Sequence, residues 1–254
     1  MTSHIDQGLR YEEDELYREA IAEYRLAFEE DDGDILPLMR MAALLDELGE
    51  SLEAVWALDE ILAIEPSDPF ALNLRGDIMV TLGRLDDGIA DFTRAVEFDS
   101  GDVSSFYNRG LAYAAQGKIS LAIEDFTEAI ELDPNHGGAY NNRGLANHNL
   151  GRYQEALDDF SAAVRVRQGF ACSYAHRGKV HEVLGNDAMA LADYSASLQV
   201  DGHFAEALYL RGLLRAKLGD EQGAAADLDL LCKTAPPANQ FRILAEERSG
   251  AAKY

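Results

Sequence analysis

Between residues 103 and 134 the apolar positions fall into two stretches with helical spacing. In SSFYNRGLAYAAQG, Phe106, Leu111 and Tyr113 share a helix with Gly110, where a second helix can approach closely. Gly117 follows, at a place where left-handed backbone costs glycine nothing. In KISLAIEDFTEAIELD, Ile119, Ala122, Ile123, Phe126, Ala129 and Ile130 recur at three- and four-residue steps, so one stripe of that helix is apolar. Pro134 then breaks the chain, as Pro66 and Pro236 do in their own surroundings. The pattern predicts two helices joined by a tight turn.

The same pattern returns every 34 residues. Gly8, Gly76, Gly110, Gly144, Gly178 and Gly212 form one series, with Ala42 bridging its single double gap. Gly49, Gly83, Gly117, Gly151, Gly185 and Gly219 form a second, seven residues later. A third is small (Ala20, Ala54, Gly88, Ala122, Ala156, Ala190, Ala224), and a fourth is large (Tyr24, Leu58, Phe92, Phe126, Phe160, Tyr194, Leu228). No insertion interrupts the 204 residues from Gly8 to Gly212. One hairpin of this size has too little core to fold alone, so the units must stack as a solenoid, which makes one domain.

These residues resemble the tetratricopeptide repeat family, over nearly the entire chain. The strongest units are 103–136 and 137–170, where YNNRGLANHNLGRYQEALDDFSAAV carries almost every signature position. The resemblance implies an all-α, right-handed superhelical solenoid of seven antiparallel helix pairs, at 1–34, 35–68, 69–102, 103–136, 137–170, 171–204 and 205–238. After Pro236 and Pro237, residues 239–254 are expected to form a short capping helix and tail. Some positions depart from the family pattern: Glu15 stands where later units have glycine, Ala42 replaces glycine in the second repeat, and Leu231 replaces alanine in the seventh.

Composition narrows the function. Apolar residues make up 47% of the 254 and charged residues 27%, too apolar for a disordered chain. No apolar run approaches the roughly 18 residues of a membrane span, and the start lacks the basic and apolar blocks of a secretory signal. A cytoplasmic protein with no membrane contact is therefore expected, and Cys172 and Cys232 fit a reducing compartment. Forty-six acidic against 22 basic side chains give a net charge of −24, which argues against nucleic acid as a partner. Residues 1–102 carry 27 acidic and 7 basic groups and residues 103–254 carry 19 and 15. That asymmetry points to a protein partner with a basic or mixed basic and apolar segment near the amino-terminal half.

Five arginines keep the period, Arg75, Arg109, Arg143, Arg177 and Arg211, and five aspartates follow sixteen residues behind, Asp91, Asp125, Asp159, Asp193 and Asp227. The second repeat lacks both, having Met41 and Ala57. Shared presence and shared absence predict a bidentate ion pair inside each repeat, in preference to an anion-binding ladder. One turn beyond the arginines, Asn147, His181 and Arg215 replace the bulky residue that Tyr113 supplies, marking either a polar interface between repeats or a partner site.

In the family, function resides on the concave groove lined by the first helix of each repeat. Carried over by position, that groove is Asn73, Asp77, Tyr107, Asn108, Leu111, Asn141, Asn142, Leu145, His148, His176, Lys179 and Tyr209, with Cys172, Glu182 and Leu213 beside them. Asparagine amides both donate and accept, so they suit the backbone of an extended peptide, and the leucines suit its apolar side chains. The subtype that clamps the terminal carboxylate of heat-shock chaperones is not expected, because Tyr107, Leu111, Asn142, Cys172 and His176 supply only the asparagine of its lysine, asparagine and arginine set. No phosphate-cradling GxxxxGK[ST], GxSxG or HExxH motif occurs. Cys172, His176 and His148 lack the further ligands of a metal site, so neither metal nor cofactor is expected. The sequence thus reads as a non-enzymatic adaptor. An acidic, chaperone-like holder of basic proteins and a regulatory subunit of an enzyme complex are the alternatives, and the open edges of a solenoid also permit self-association.

Overall fold

Each repeat becomes a helical hairpin because its apolar stripes face one another across a turn that only one backbone conformation closes. A computed structural model of the chain describes residues 3–166 and 170–251, with side chains through residue 247. The final residues of the expected tail, 252–254, lie outside the described residues. Fifteen α-helices and no strand are present among the described residues. The chain divides into two compact units, Met1–Leu132 and Asp133–Tyr254.

The first unit contains four hairpins: α1 (His4–Glu13) with α2 (Tyr17–Glu30), α3 (Leu36–Glu47) with α4 (Ser51–Ile64), α5 (Pro69–Thr81) with α6 (Leu85–Phe98), and α7 (Val103–Ala115) with α8 (Ile119–Leu132). The second contains three hairpins and a final helix: α9 (Gly137–Asn149) with α10 (Tyr153–Val166), α11 (Ala171–Val183) with α12 (Asp187–Val200), α13 (Ala205–Lys217) with α14 (Glu221–Thr234), and α15 (Gln240–Ala251). Second helices begin every 34 residues without deviation, from Tyr17 to Glu221.

Tight packing inside a hairpin depends on the glycine and aromatic series acting together. A methyl group built at Gly144 would lie 2.8 Å from Cε1 of Phe160, so the ring of the second helix rests directly on the backbone of the first. The turn glycines all have φ between +72° and +86°. Glu15 occupies the same register in the first repeat and takes the same left-handed conformation, with φ +59°.

In the first unit one apolar cluster runs through the first three repeats, including Tyr24, Leu38, Met41, Leu45, Leu58, Ile61 and Leu72. Met41 and Ala57, the residues that stand in for arginine and aspartate, belong to this core. In the second unit smaller clusters form around Phe160 with Val180 and Tyr194 with Leu214. α15 closes that unit by packing Ala245 and Phe241 against Leu208 and Leu231, with the rings of Tyr209 and Phe241 5.7 Å apart.

First helices of neighbouring repeats touch: α3 with α5 and α5 with α7 in one unit, α9 with α11 and α11 with α13 in the other. Among the described residues, second helices of neighbouring repeats make no comparable contact. Within each unit the first helices therefore form a close row, and the second helices a wider row with grooves between them.

Candidate functional site

Two polar systems run along the first helices, one turned into the hairpin and one turned away from it. The inward system is the arginine and aspartate series. Arg109 Nε donates to Asp125 Oδ2 at 2.8 Å and Nη2 donates to Oδ1 at 2.8 Å. Arg75 makes the same fork with Asp91 (2.8 and 2.6 Å), as do Arg177 with Asp193 and Arg211 with Asp227 (2.9 and 2.7 Å each). Arg143 Nη2 reaches Asp159 Oδ1 at 2.7 Å. The aspartates are buried and the arginine side chains 15–23% exposed. The hydrogen bonds they donate to Asp91, Asp125 and Asp193 hold Arg75, Arg109 and Arg177 more firmly protonated than usual, against the opposing effect of burial.

The third nitrogen of the fork leaves the repeat. Arg109 Nη1 donates to Thr93 Oγ1 at 3.3 Å, Arg177 Nη1 to Ser161 Oγ at 3.2 Å and Arg211 Nη1 to Ser195 Oγ at 3.1 Å, each on the second helix of the preceding repeat. Arg75 Nη1 likewise reaches Asp59. The guanidinium groups of Arg75, Arg109, Arg177 and Arg211 thus each join two successive repeats. Asn147 and Arg215 turn inward too. Asn147 Nδ2 donates to Asp159 Oδ2 at 3.0 Å, and Arg215 Nη1 donates to Asp227 Oδ2 at 2.9 Å. His181 Nε2 stops 3.8 Å from Asp193 Oδ2, its Nδ1 has no hydrogen-bond partner among the described residues, and burial lowers its pKa.

The outward system holds the carried-over groove residues. In the first unit Asn73 is engaged between repeats: its Nδ2 donates to Asp102 Oδ2 at 2.9 Å and its Oδ1 accepts from Ser105 Oγ at 2.8 Å. Asn108 Nδ2 donates to Asp77 Oδ2 at 3.3 Å. The Asp77 carboxyl is pushed up to about 6, first by the desolvating wall around it and then by the charge of Asp46. Its open edge to solvent screens that effect. Tyr107 lies half-buried against Phe126, ring centres 5.9 Å apart, whereas Leu111 is exposed.

In the second unit Asn141 is buried. Its Oδ1 takes hydrogen bonds from Ser173 Oγ and His176 Nδ1, both at 3.0 Å. Its Nδ2 lies 3.4 Å from Asn142 Oδ1. Its amide therefore cross-links repeats five and six. His176 rests over Phe160 (5.5 Å) and faces Glu206 at 3.8 Å, and burial lowers its pKa. Lys179 Nζ donates to the other oxygen of Glu206 at 3.3 Å. Leu145 packs on the Phe160 cluster, His148 on Tyr153 at 5.7 Å and Tyr209 on Phe241. Cys172 is a half-buried free thiol whose pKa is raised by burial.

What stays open on this face is a hollow of about 360 Å³ at the last turns of α9, α11 and α13. It is lined by His148, Lys179, Glu182, Val183, Leu210 and Lys217. Lys217 is paired with Asp187 at 3.0 Å, and Glu182 accepts from Tyr194 Oη at 2.9 Å. The carried-over positions contain His148, Lys179 and Glu182 but not Val183, Leu210 or Lys217. Val183 and Lys217 lie off the carried-over register, whereas Leu210 holds the register of Asn108, Asn142 and His176 one repeat further on; the close approach of three first helices brings all three into the hollow. Among the described residues no group of three or more His, Cys, Asp or Glu side chains is placed to hold a metal ion. No described helix is long and apolar enough to cross a membrane.

Stacked antiparallel hairpins of one length, closed by a terminal helix, define a helical repeat solenoid. The chain belongs to the tetratricopeptide repeat family, whose model matches residues 107–169 and 177–239. Its fold is similar to a tetratricopeptide repeat protein from Parabacteroides merdae (TM-score 0.74, 17% identity, covering 96% of each chain). It is also similar to Pseudomonas aeruginosa pilF (TM-score 0.71, 19% identity, covering 85% of this chain and 98% of that one). YrrB, described as a repeat protein of this family with an unusual peptide-binding site, matches at TM-score 0.62 and 23% identity over 74% of this chain and 97% of its own. No curated protein matches the sequence. Repeats of this family serve protein–protein interaction as a class.

Proposed function

We propose that the chain is a non-enzymatic adaptor, and that the first-helix face of repeats five to seven binds a peptide segment or helix of another protein. The observation that carries this reading is the hollow between His148, Lys179, Val183 and Leu210, to which three successive repeats contribute. Apolar Val183 and Leu210 suit an aliphatic side chain, and the lysine, histidine and glutamate around them suit a polar backbone or flanking charges. Asn141 adds rigidity beneath this face, while Asn142 and Lys179 remain at its surface. YrrB shows the same fold used with a peptide-binding site.

A peptide array probed with the intact chain, followed by calorimetry of the strongest sequence, tests the reading. Val183→Glu alters an exposed residue and is expected to weaken that binding about tenfold while leaving the helical signal unchanged. Unchanged affinity would remove the face from consideration. The excess of acid over base in residues 1–102 favours a second reading, a holder of basic proteins. Its affinity must collapse as salt rises, whereas recognition in an apolar hollow survives moderate salt.

A further inference from the structure

Among the described residues of the second helices, α4 carries a pair of large exposed apolar side chains one turn apart. Leu52 and Trp56, one turn apart on α4, are 77% and 42% exposed. Their counterparts in later repeats are Asp86 and Ala90, Ser120 and Glu124, Gln154 and Asp158, Ala188 and Ala192, and Gln222 and Ala226. Other exposed leucines, such as Leu48, Leu82, Leu150, Leu184 and Leu218, recur with the period just before the turn and belong to the construction of the repeat. Leu52 and Trp56 have no such explanation.

Trp56 opens onto the groove between α2 and α4. A hollow of about 300 Å³ lies between Arg25, Phe28, Glu29 and Trp56. A second, of about 410 Å³, continues from Arg25 and Glu29 past Ile21, Leu26 and Leu45. The two share a wall and form one apolar trough. Its cations are already engaged: Arg25 lies over the Trp56 ring at 5.8 Å and donates to Glu53 at 3.3 Å, and Arg18 pairs with Glu50. The rim, with Glu29, Glu50 and Glu53, stands in the most acidic part of the chain, where residues 1–102 carry 27 acids and 7 bases. An apolar floor inside a negative rim selects an apolar stripe flanked by positive charge.

We propose that the trough between the second helices of repeats one and two docks a basic amphipathic helix of another protein. The apolar stripe of that helix lies on Leu26, Leu52 and Trp56, and its lysines or arginines face Glu29 and the acidic surface around it. A second copy of this chain fits poorly, since each copy brings a net charge of −24. This site is separate from the first-helix face of repeats five to seven, so either can fail without the other.

Trp56 is the single tryptophan, and its emission therefore reads the trough directly. The probe is a leucine and lysine peptide patterned as an amphipathic helix of about four turns, added to the full chain. Control peptides carry glutamine for lysine, or serine for leucine. Binding is expected to shift Trp56 emission to the blue, to saturate at one peptide per chain, and to need both the lysines and the leucines. Leu26→Glu and Leu52→Gln, which install residues found at equivalent places in repeats two and five, are expected to weaken it about tenfold each with melting unchanged. A peptide that binds without moving the emission, or binds these variants equally, overturns the proposal. So does a blue shift that follows chain concentration without peptide, since it assigns the trough to a second copy.

Discussion

At the scale of single residues, the inward carboxylates are the points of greatest consequence. Asp159 accepts from Arg143 and from Asn147, so Asp159→Ala removes the acceptor of a buried amide and of a half-buried guanidinium. A loss of about 3–5 kcal/mol is expected from breaking such a pair. Arg143→Met should cost less, because Asn147 still serves the aspartate. The double variant, which imitates Met41 and Ala57 of the second repeat, should lose less than the sum; urea titrations giving additive losses would show that the pair is not coupled. His181 supplies a pH test. Burial lowers its folded pKa below the ordinary 6.5, so the unfolded chain takes up the proton first, and stability is complete above about 6.5 and declines as pH falls below it. His181→Asn, copying Asn147, should flatten that part of the pH profile, and a melting curve with the same acid slope would contradict the assignment. In the sequence the arginine and aspartate series run in step, and both are missing from the first two repeats, which hold Gln7 with Glu23 and Met41 with Ala57. The pairing is legible there. The reach of Arg177 to Ser161 and Arg211 to Ser195 is not, since a small hydroxyl at a periodic position has no signature until two repeats are stacked.

At the scale of the element, the hairpin is governed by two backbone requirements, and the chain itself contains an exception to each. Glu15 pays for a left-handed backbone that glycine adopts freely at the six later turns. Glu15→Gly is therefore expected to stabilise the first repeat by about 1 kcal/mol, and Gly117→Ala to destabilise its own by a similar amount. Thermal melts showing no gain at Glu15 would mean that its side chain compensates for the strain. The close approach of first to second helix has its own exception in Ala42, which stands in register with Leu58 where the first repeat and the third to sixth oppose glycine to an aromatic ring and the seventh opposes Gly212 to Leu228. In the second repeat the smaller partner makes room for the larger backbone residue. Gly144→Ala alone should cost about 1–3 kcal/mol by overpacking against Phe160. Phe160→Leu in the same chain should recover part of that loss, and no recovery would place the clash elsewhere. The helical pairs and their period were readable from repeated residues, and the terminal helix from the stretch that follows Pro236 and Pro237. Which groove amides would be consumed between repeats was not: Asn73 and Asn141 look like groove residues by position, yet each bonds a serine of the following repeat. Register along one helix is encoded in one segment of sequence, whereas contact between repeats depends on two.

For the whole molecule the relevant quantity is charge. Residues 1–132 carry 31 acidic and 9 basic side chains, and residues 133–254 carry 15 and 13. Nine cations can neutralise at most nine of 31 carboxylates, so in the first unit repulsion outweighs the ion pairs, while in the second the two nearly balance. Exposed charges interact over about 10 Å at 0.1 M salt and far less at 1 M. Added sodium chloride should therefore relieve the first unit more than it weakens its few surface pairs, and should leave the second almost unchanged. Hydrogen exchange read by mass spectrometry separates the two in one sample. Amides of α2 and α4 are expected to gain protection as salt rises, and those of α11 and α13 to hold steady. Equal gains in both units would mean that salt acts through apolar burial and not through the carboxylates. The same carboxylates would then lose their claim to attract a basic helix to Trp56, because a field too weak to strain its own fold is too weak to select a partner.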